Sequence, residues 1–280
     1  MKFHLSKIFV LLAAVAFCSG IYAQDTYKLQ YNFEKGKTYL YRIEATTDMT
    51  QEMMGQEMKF NTISNNVARF NIENTSDDGS ADIIFSLDSA FVKSNIRGHD
   101  TTFNMDDMVG KKIKMNISKL GELNSYTVID SILDNNRTMS IAQESKNFFR
   151  VLNGKDIKVG DKWNTTQIDT IDNMGGKIVS NIDFEYTLTG IEEKLGHQCF
   201  KIPFTATIKI EGKGNMRGMD LFIEGNGKSS GTAYLDAKTG MNVYIESSVD
   251  NEMTVASTGQ QTMTIPISQS TKNIITLIGD

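Results

Sequence analysis

Histidine and cysteine, which often supply acid–base, nucleophilic or metal-binding chemistry, are scarce in this 280-residue chain. Beyond the first 23 residues the histidines are His99 and His197, which lie far apart and have no second histidine at ligand spacing. Cys199 is the one cysteine in the same range, so no intramolecular disulfide can form there. The sequence has no H-E-x-x-H or paired-cysteine pattern. It therefore predicts no metal site, no cofactor and no catalytic residue.

A second group of residues points to modification. Four tripeptides consist of Asp, then Ser or Thr, then a small or aliphatic residue. This pattern resembles the acceptor tripeptide for periplasmic O-glycosylation in one group of Gram-negative bacteria. The predicted acceptors are Ser89, Thr101, Ser131 and Thr170.

Acidic pairs offer a third kind of chemistry. Asp77-Asp78, Asp106-Asp107 and Glu192-Glu193 lie in turn-like stretches. Two carboxylates about 5–9 Å apart could cleave a glycoside, but adjacency in a loop does not provide that geometry. A hydrolase acting on envelope glycans or esters is therefore the competing hypothesis and not the favoured one.

Most of the chain alternates apolar and polar residues with a period of two, which is typical of half-buried β-strands. The clearest examples are residues 39–45, 113–117 and 200–210. Between two such segments, residues 235–240 (LDAKTG) predict a tight hairpin in which Gly240 takes a positive φ. The pattern indicates about ten antiparallel strands.

One helical pattern interrupts the strands, at residues 131–153. Ser131 fits a helix N-terminus, and the Asn-Gly pair at 153–154 supplies a stop. Phe148 and Leu152 fall on one face of this helix, whereas Arg150 points away from it. Such an amphipathic helix must bury its apolar face against the surrounding sheet.

The predicted fold is therefore mainly β. Long antiparallel strands form a curved sheet or an open barrel, and the principal helix (about 131–153) packs on its concave side. Residues 24–130 form an N-terminal β half and residues 154–280 a C-terminal β half. No Pro-rich linker separates them, so they form a single unit or two tightly packed lobes.

The first 23 residues have the organisation of a secretory signal peptide. Lys2 and Lys7 precede an apolar run at 8–17, and small residues lead to Ala23. We expect cleavage near Ala23 and export to the periplasm or cell surface of a Gram-negative bacterium as a soluble protein. Lipid attachment at Cys18 is the weaker alternative, because a bulky residue precedes it.

Net charge and hydropathy limit the classes of partner that the sequence predicts. Cleavage removes two lysines and no acid, so the formal net charge falls from −5 to −7. An acidic exported protein is poorly suited to binding nucleic acid through phosphate contacts. No later apolar run approaches the about 20 residues of a spanning helix, so the chain is not predicted to span a membrane. The oligomeric state is left open.

Two short motifs carry a family resemblance: residues 159–163 (VGDKW) and the D-x-x-T-G hairpin at 236–240. With the signal peptide and the central helix, they make the chain similar to a domain-of-unknown-function family of exported Gram-negative proteins. The resemblance implies no catalytic motif. In architecture, a curved sheet with a helix in its hollow also resembles periplasmic lipoprotein carriers, which is an analogy of fold alone.

These observations favour an uncharacterised, non-enzymatic envelope protein that binds an apolar or amphipathic ligand, such as a lipid, or an envelope partner. Met- and Phe-rich faces of a long curved sheet can leave an apolar cavity between sheet and helix. A structural or adhesive surface component is a further alternative. The predicted ligand-lining residues are Phe148, Phe149, Phe184, Phe204 and Met115.

Overall fold

The computed structural model describes residues 25–53, 55–96, 98–130, 148–173, 176–216, 219–258 and 262–280. In these ranges the chain forms 15 β-strands. They are β1 (Tyr27–Lys28), β2 (Thr38–Met53), β3 (Gln56–Thr75), β4 (Ala81–Ile96), β5 (His99–Phe103), β6 (Lys112–Ile117), β7 (Leu123–Val128), β8 (Asp156–Ile157), β9 (Lys162–Asn173), β10 (Gly176–Thr187), β11 (Gly190–Lys194), β12 (His197–Met216), β13 (Met219–Asp236), β14 (Asn242–Thr258) and β15 (Met263–Gly279).

Thirteen strands form one antiparallel sheet in the order β7-β6-β4-β3-β2-β15-β14-β13-β12-β10-β9, with β5 beside β4 and β11 beside β12. The edge strands β7 and β9 do not pair with each other within the described residues, so the curved sheet is not closed into a barrel. The prediction of a mainly β fold with long antiparallel strands is confirmed.

The C-terminal strand joins the two predicted β halves. β15 pairs with β2, and this register places Ile275 opposite Ile43. Strands from residues 24–130 and from 154–280 therefore belong to one continuous sheet. The separate pair β1 and β8 adds a short contact between Tyr27 and Ile157.

The two faces of the sheet differ in burial. On β12 the side chains of Ile202, Phe204 and Ile208 are buried, whereas the alternating Thr205 and Thr207 are exposed. We call the face that carries Ile202 and Phe204 the core face, and the opposite one the outer face. The alternation follows from the period of two in a pleated strand.

One end of the sheet, the closed end, holds the main hydrophobic core. Tyr41, Phe70 and Phe148 lie at its centre, where the Phe148 ring centroid is 4.3 Å from that of Phe70 and 4.5 Å from that of Tyr41. Loops and β1 cover this end and bring in Leu29 and Tyr31, which are 1% exposed. Burial of these large side chains is the main stabilising contribution there.

The predicted helix is confirmed neither in its body nor at its end. Residues 131–147 lie outside the described residues, and 149–153 are not helical, so the predicted end at Asn153 is wrong. An irregular segment suffices here because Phe149 and Leu152 are buried although the backbone of 149–153 is not helical. The described part of this region that packs on the core face is therefore a short, mostly irregular stretch.

Local turn chemistry agrees with the sequence. Gly240 lies between β13 and β14 with φ of 73°, as the hairpin pattern predicts. Its amide donates to the Asp236 carbonyl oxygen over 2.8 Å, which closes the turn. A side chain at Gly240 would overlap the carbonyl of Gln30, so both the backbone conformation and the packing require glycine.

Candidate functional site

The five predicted lining residues come together, but mostly as packed core. Met115, Phe148, Phe149 and Phe204 are at most 5% exposed, and Phe184 is partly buried against the same cluster. The side chains meet because β6, β10 and β12 share the core face with the 148–152 segment. Whether any of them contacts a ligand stays a prediction, with Phe184 the most accessible.

Arg150 lies in the middle of the segment that covers the core face, and Tyr31 holds its backbone. The Arg150 amide donates to the Tyr31 hydroxyl over 3.0 Å, and that hydroxyl donates to the Arg150 carbonyl over 3.2 Å. Burial raises the pKa of Tyr31 well above its usual value, so the hydroxyl stays protonated and keeps both roles. Gly121 packs against the same carbonyl.

Two further hydrogen bonds fix the ends of this segment. The buried side-chain amide of Asn242 donates to the Phe148 carbonyl over 3.0 Å. The backbone amide of Leu152 donates to the Leu120 carbonyl over 2.8 Å. With the Tyr31 contacts, they hold the backbone of 148–152 at three points. A short irregular segment is thereby positioned as firmly as a regular element.

The Arg150 side chain points over the core face. Its guanidinium carbon lies 4.3 Å from the ring centroid of Phe204 and 5.9 Å from that of Phe184. Within the described ranges the guanidinium forms no ion pair, and its Nε is buried without a hydrogen-bond partner. The prediction that Arg150 points away from the apolar surface is therefore wrong: its charge rests on aromatic rings.

Beside Arg150 lies an aromatic row made of Trp163, Tyr186 and Phe184. Neighbouring rings in this row stack at centroid distances of 5.4 Å and 5.5 Å with interplanar angles of 17° and 18°. The Trp163 Nε1 is buried and, among the described residues, has no hydrogen-bond partner. The aromatic row thus ends at a second buried nitrogen donor without a partner in the described ranges.

Beyond the aromatic row the core face continues as an apolar surface. We call this surface the distal apolar patch. Its members lie on β10, β12, β13 and β14 and pack together as a separate cluster. The patch consists of Ile178, Ile182, Ile208, Ile210, Ile223, Val249, Met253 and Val255. Since Phe204, Ile208 and Ile210 share one strand face, the patch is continuous with the surface under Arg150.

Two grooves among the described residues lie on the outer face. One, of about 670 Å³, is lined mainly by polar residues, and three of its carboxylates, Asp183, Glu185 and Asp250, are exposed. Another, of about 610 Å³, is lined by Glu52, Glu57, Glu224 and Glu252 among others. Neither is the apolar cavity that the sequence predicts, and a hydrolase would need close and buried carboxylates.

Three of the four predicted glycosylation acceptors lie on exposed strand positions. Ser89 on β4, Thr101 on β5 and Thr170 on β9 are exposed. Ser131 lies outside the described residues. Exposure on strands is compatible with modification but does not demonstrate it, so all four sites stay predictions.

His197 and Cys199, the remaining candidates for chemistry, both lie where their contacts stabilise the fold. The His197 Nδ1 lies 3.0 Å from the Asp236 carboxylate in the β13–β14 turn region. Cys199 is on the outer face, but it is fully buried with Tyr234 and Val243. Burial raises the pKa of its thiol to about 11, which makes it a poor nucleophile. No cluster of metal-binding side chains occurs in the described part of the chain.

Sequence reasoning missed the roles of Arg150, Trp163 and Tyr186. The signal that could have found Arg150 is its position in residues 148–152 (FFRVL), where one cation stands inside an apolar run. The sequence marks Trp163 only as part of the VGDKW motif. Its partner Tyr186 is determined by strand register, which places Tyr186 opposite Trp163.

Comparisons with known proteins agree with this fold and assign no activity. The model of a family described as a family of unknown function (DUF6263) matches residues 137–242. That range includes VGDKW at 159–163 and the hairpin at 236–240, so the predicted likeness to a domain-of-unknown-function family is confirmed there. No curated protein matches the chain in sequence.

Among solved structures, one titled "Lipid-protein interactions in lipovitellin" is similar with a TM-score of 0.51 and 10% identity. The likeness covers 88% of this chain and 25% of that chain, so this protein spans about a quarter of its length. Pseudomonas aeruginosa OccK11 (OpdR) covers 89% of this chain and is itself covered completely, at 7% identity, but its TM-score is 0.23. In the ranges the structure describes, no helix is both long and apolar enough to cross a membrane.

Proposed function

We propose that this protein binds a lipid or another amphipathic ligand along the core face of its sheet. The observation that carries the proposal is the distal apolar patch, which continues the hydrophobic core beyond the closed end. Ile182 and Met253 are only partly buried there, and the strands that carry the patch lie side by side in the sheet. An extended apolar face of this kind is what a hydrocarbon chain requires.

The fold supports the same proposal. Lipovitellin, whose structure describes lipid–protein interactions, has a fold similar to that of this chain. At 10% identity this likeness concerns the fold alone, so it supports and does not carry the argument. An open curved sheet can accept a ligand of variable length because its mouth is not closed by strand pairing.

Mass spectrometry under native conditions tests the proposal directly. We expect the purified protein to carry co-purifying lipid and, after delipidation, to bind a fluorescent long-chain fatty acid. Met253→Gln places an amide of similar size in the distal apolar patch and should weaken this binding about tenfold, because the buried amide lacks a partner.

The matched control is Glu252→Gln, which makes the same side chain at the next position on the exposed outer face. It should leave affinity unchanged, and both variants should unfold near the wild-type temperature. Absence of lipid after mild extraction, together with no fatty-acid binding, would contradict the proposed function.

The binding role is proposed to operate outside the cytoplasm. The signal-peptide pattern of the first 23 residues supports export and maturation near Ala23. The intact mass of the exported protein would report the cleavage position. It would also show whether hexose-containing additions are present, and peptide mapping would test Ser89, Thr101, Ser131 and Thr170 as their sites.

A further inference from the structure

We propose that Arg150 is the anchor for the anionic head group of a single-chain amphiphile whose hydrocarbon tail lies on the distal apolar patch. This inference rests on the proposed function and names its ligand class: a long-chain carboxylate or monophosphate ester. The carrying observation is a guanidinium positioned on the core face with no acid to neutralise it in the described residues.

A guanidinium that rests on an apolar surface without an acid partner from the described ranges is energetically unfavourable, so its retention there calls for a ligand. Stacking on Phe204 offsets part of the lost hydration, but a ring face cannot accept the five N–H hydrogen bonds of arginine. A carboxylate or phosphate accepts two of them at once in a bidentate geometry. Arg150 is only half-buried, so the group retains access to a ligand.

The hydrogen bonds that hold the backbone of 148–152, which we call the Arg150 clamp, give Arg150 the rigidity that recognition of a head group requires. Tyr31 holds its amide and carbonyl, and Asn242 and Leu120 hold the ends of the segment. Such pre-organisation lowers the entropic cost of binding.

The geometry of β12 joins the head-group site to the tail site. Phe204 lies under Arg150, and Ala206, Ile208 and Ile210 follow on the same face at every second residue. Six residues of extended strand cover about 20 Å, enough for most of a straight long acyl chain. A ligand with one charged end and one apolar tail therefore matches the order of residues along the strand.

The test compares palmitate with its neutral analogue hexadecanol on the delipidated full-length protein. In Arg150→Met we expect palmitate affinity to fall about tenfold or more, because a charge-assisted bidentate contact is lost. Hexadecanol affinity should change by less than about twofold. Arg150→Lys should recover part of the palmitate affinity, since lysine keeps the positive charge but lacks the planar guanidinium that binds a carboxylate with two hydrogen bonds.

Arg42→Met is the control, because Arg42 is exposed on the outer face and should affect neither ligand. Thermal unfolding of each variant confirms that it is folded. Inorganic phosphate alone should not displace palmitate at millimolar concentration, because it lacks the tail; displacement would identify a simple anion site and overturn the proposal.

Two results separate the inference from the proposed function. If Arg150→Met lowers the affinities for palmitate and hexadecanol equally, or leaves the palmitate affinity unchanged, Arg150 is not the head-group anchor, and the proposed lipid binding still stands. Failure of the wild-type protein to bind either ligand would overturn both.

Discussion

The two ends of the same strands differ in what covers them. On β3, Ala68, Phe70 and Ile72 at the closed end are 0% exposed, whereas Phe60 and Thr62 further along remain partly exposed on the same face. The strand pattern alternates throughout, so the difference does not arise from the strands. It arises from what packs across the strands: in the described part of the chain, β1, the loops and residues 148–152 join the core of the closed end.

This comparison separates stability from binding. Side chains packed on both sides at the closed end contribute the full benefit of burial and dispersion. Among the described residues, side chains of the distal apolar patch pack with their neighbours in the sheet and form a cluster separate from the core of the closed end. Substitutions at the two ends should therefore affect different measurements.

The largest expected difference comes from truncating one phenylalanine at each end of β3. Phe70→Ala should lower the free energy of unfolding by about 3–5 kcal/mol, because its ring packs on Tyr41, Phe85 and Phe148. Phe60→Ala should cost about 1 kcal/mol or less, since its ring is already partly exposed. Urea unfolding followed by circular dichroism measures both; equal losses would show that the distal end is as tightly packed.

A smaller effect is expected for glycines in turns. Gly121 has φ of 88°, and a Cβ there would overlap the Arg150 carbonyl, so Gly121→Ala should cost more than the about 1–3 kcal/mol of backbone strain. Gly36, with φ of 84° and open space where a methyl group would lie, is the matched control and should show strain alone. Urea unfolding of the two variants measures the difference, and similar losses for both would contradict the tight contact at the Arg150 clamp.

The smallest effect concerns alkaline pH. Burial, followed by the charge of Asp236, raises the pKa of Cys199 to about 11; burial, followed by the charge of Glu34, raises that of Tyr39 to about 12. Both groups are neutral when protonated, so their stabilising contribution is complete below the unfolded values of about 8.5 and 10. It is lost as the pH rises through the folded values.

We therefore expect the closed end to lose on the order of 1 kcal/mol per group between pH 9 and about pH 12. Urea unfolding across this range should show a shallower decline for Cys199→Ala and Tyr39→Phe than for the wild type. If both variants lose stability with rising pH as steeply as the wild type, neither the Cys199 nor the Tyr39 side chain is buried in solution.

Strand content and the tight turns could be predicted from sequence, because both depend on local patterns. Alternation at residues 200–210 determined which side chains of β12 face inward, and the LDAKTG segment determined a hairpin. The end of the predicted helix at Asn153 was wrong because apolar spacing near Phe148 and Leu152 is compatible with both a helix and an irregular buried segment. Tertiary contacts with Tyr31, Asn242 and Leu120 decided between them.

The sequence by itself determined the β character of this protein, its turns, and the apolar side of each strand, since these follow from the chemistry of neighbouring residues. Only the tertiary structure decided that β15 joins β2 and that Arg150 rests on Phe204. Both depend on strand register and loop packing between residues far apart in the chain. The direction of a long cationic side chain is set by such contacts and not by its place in a local pattern.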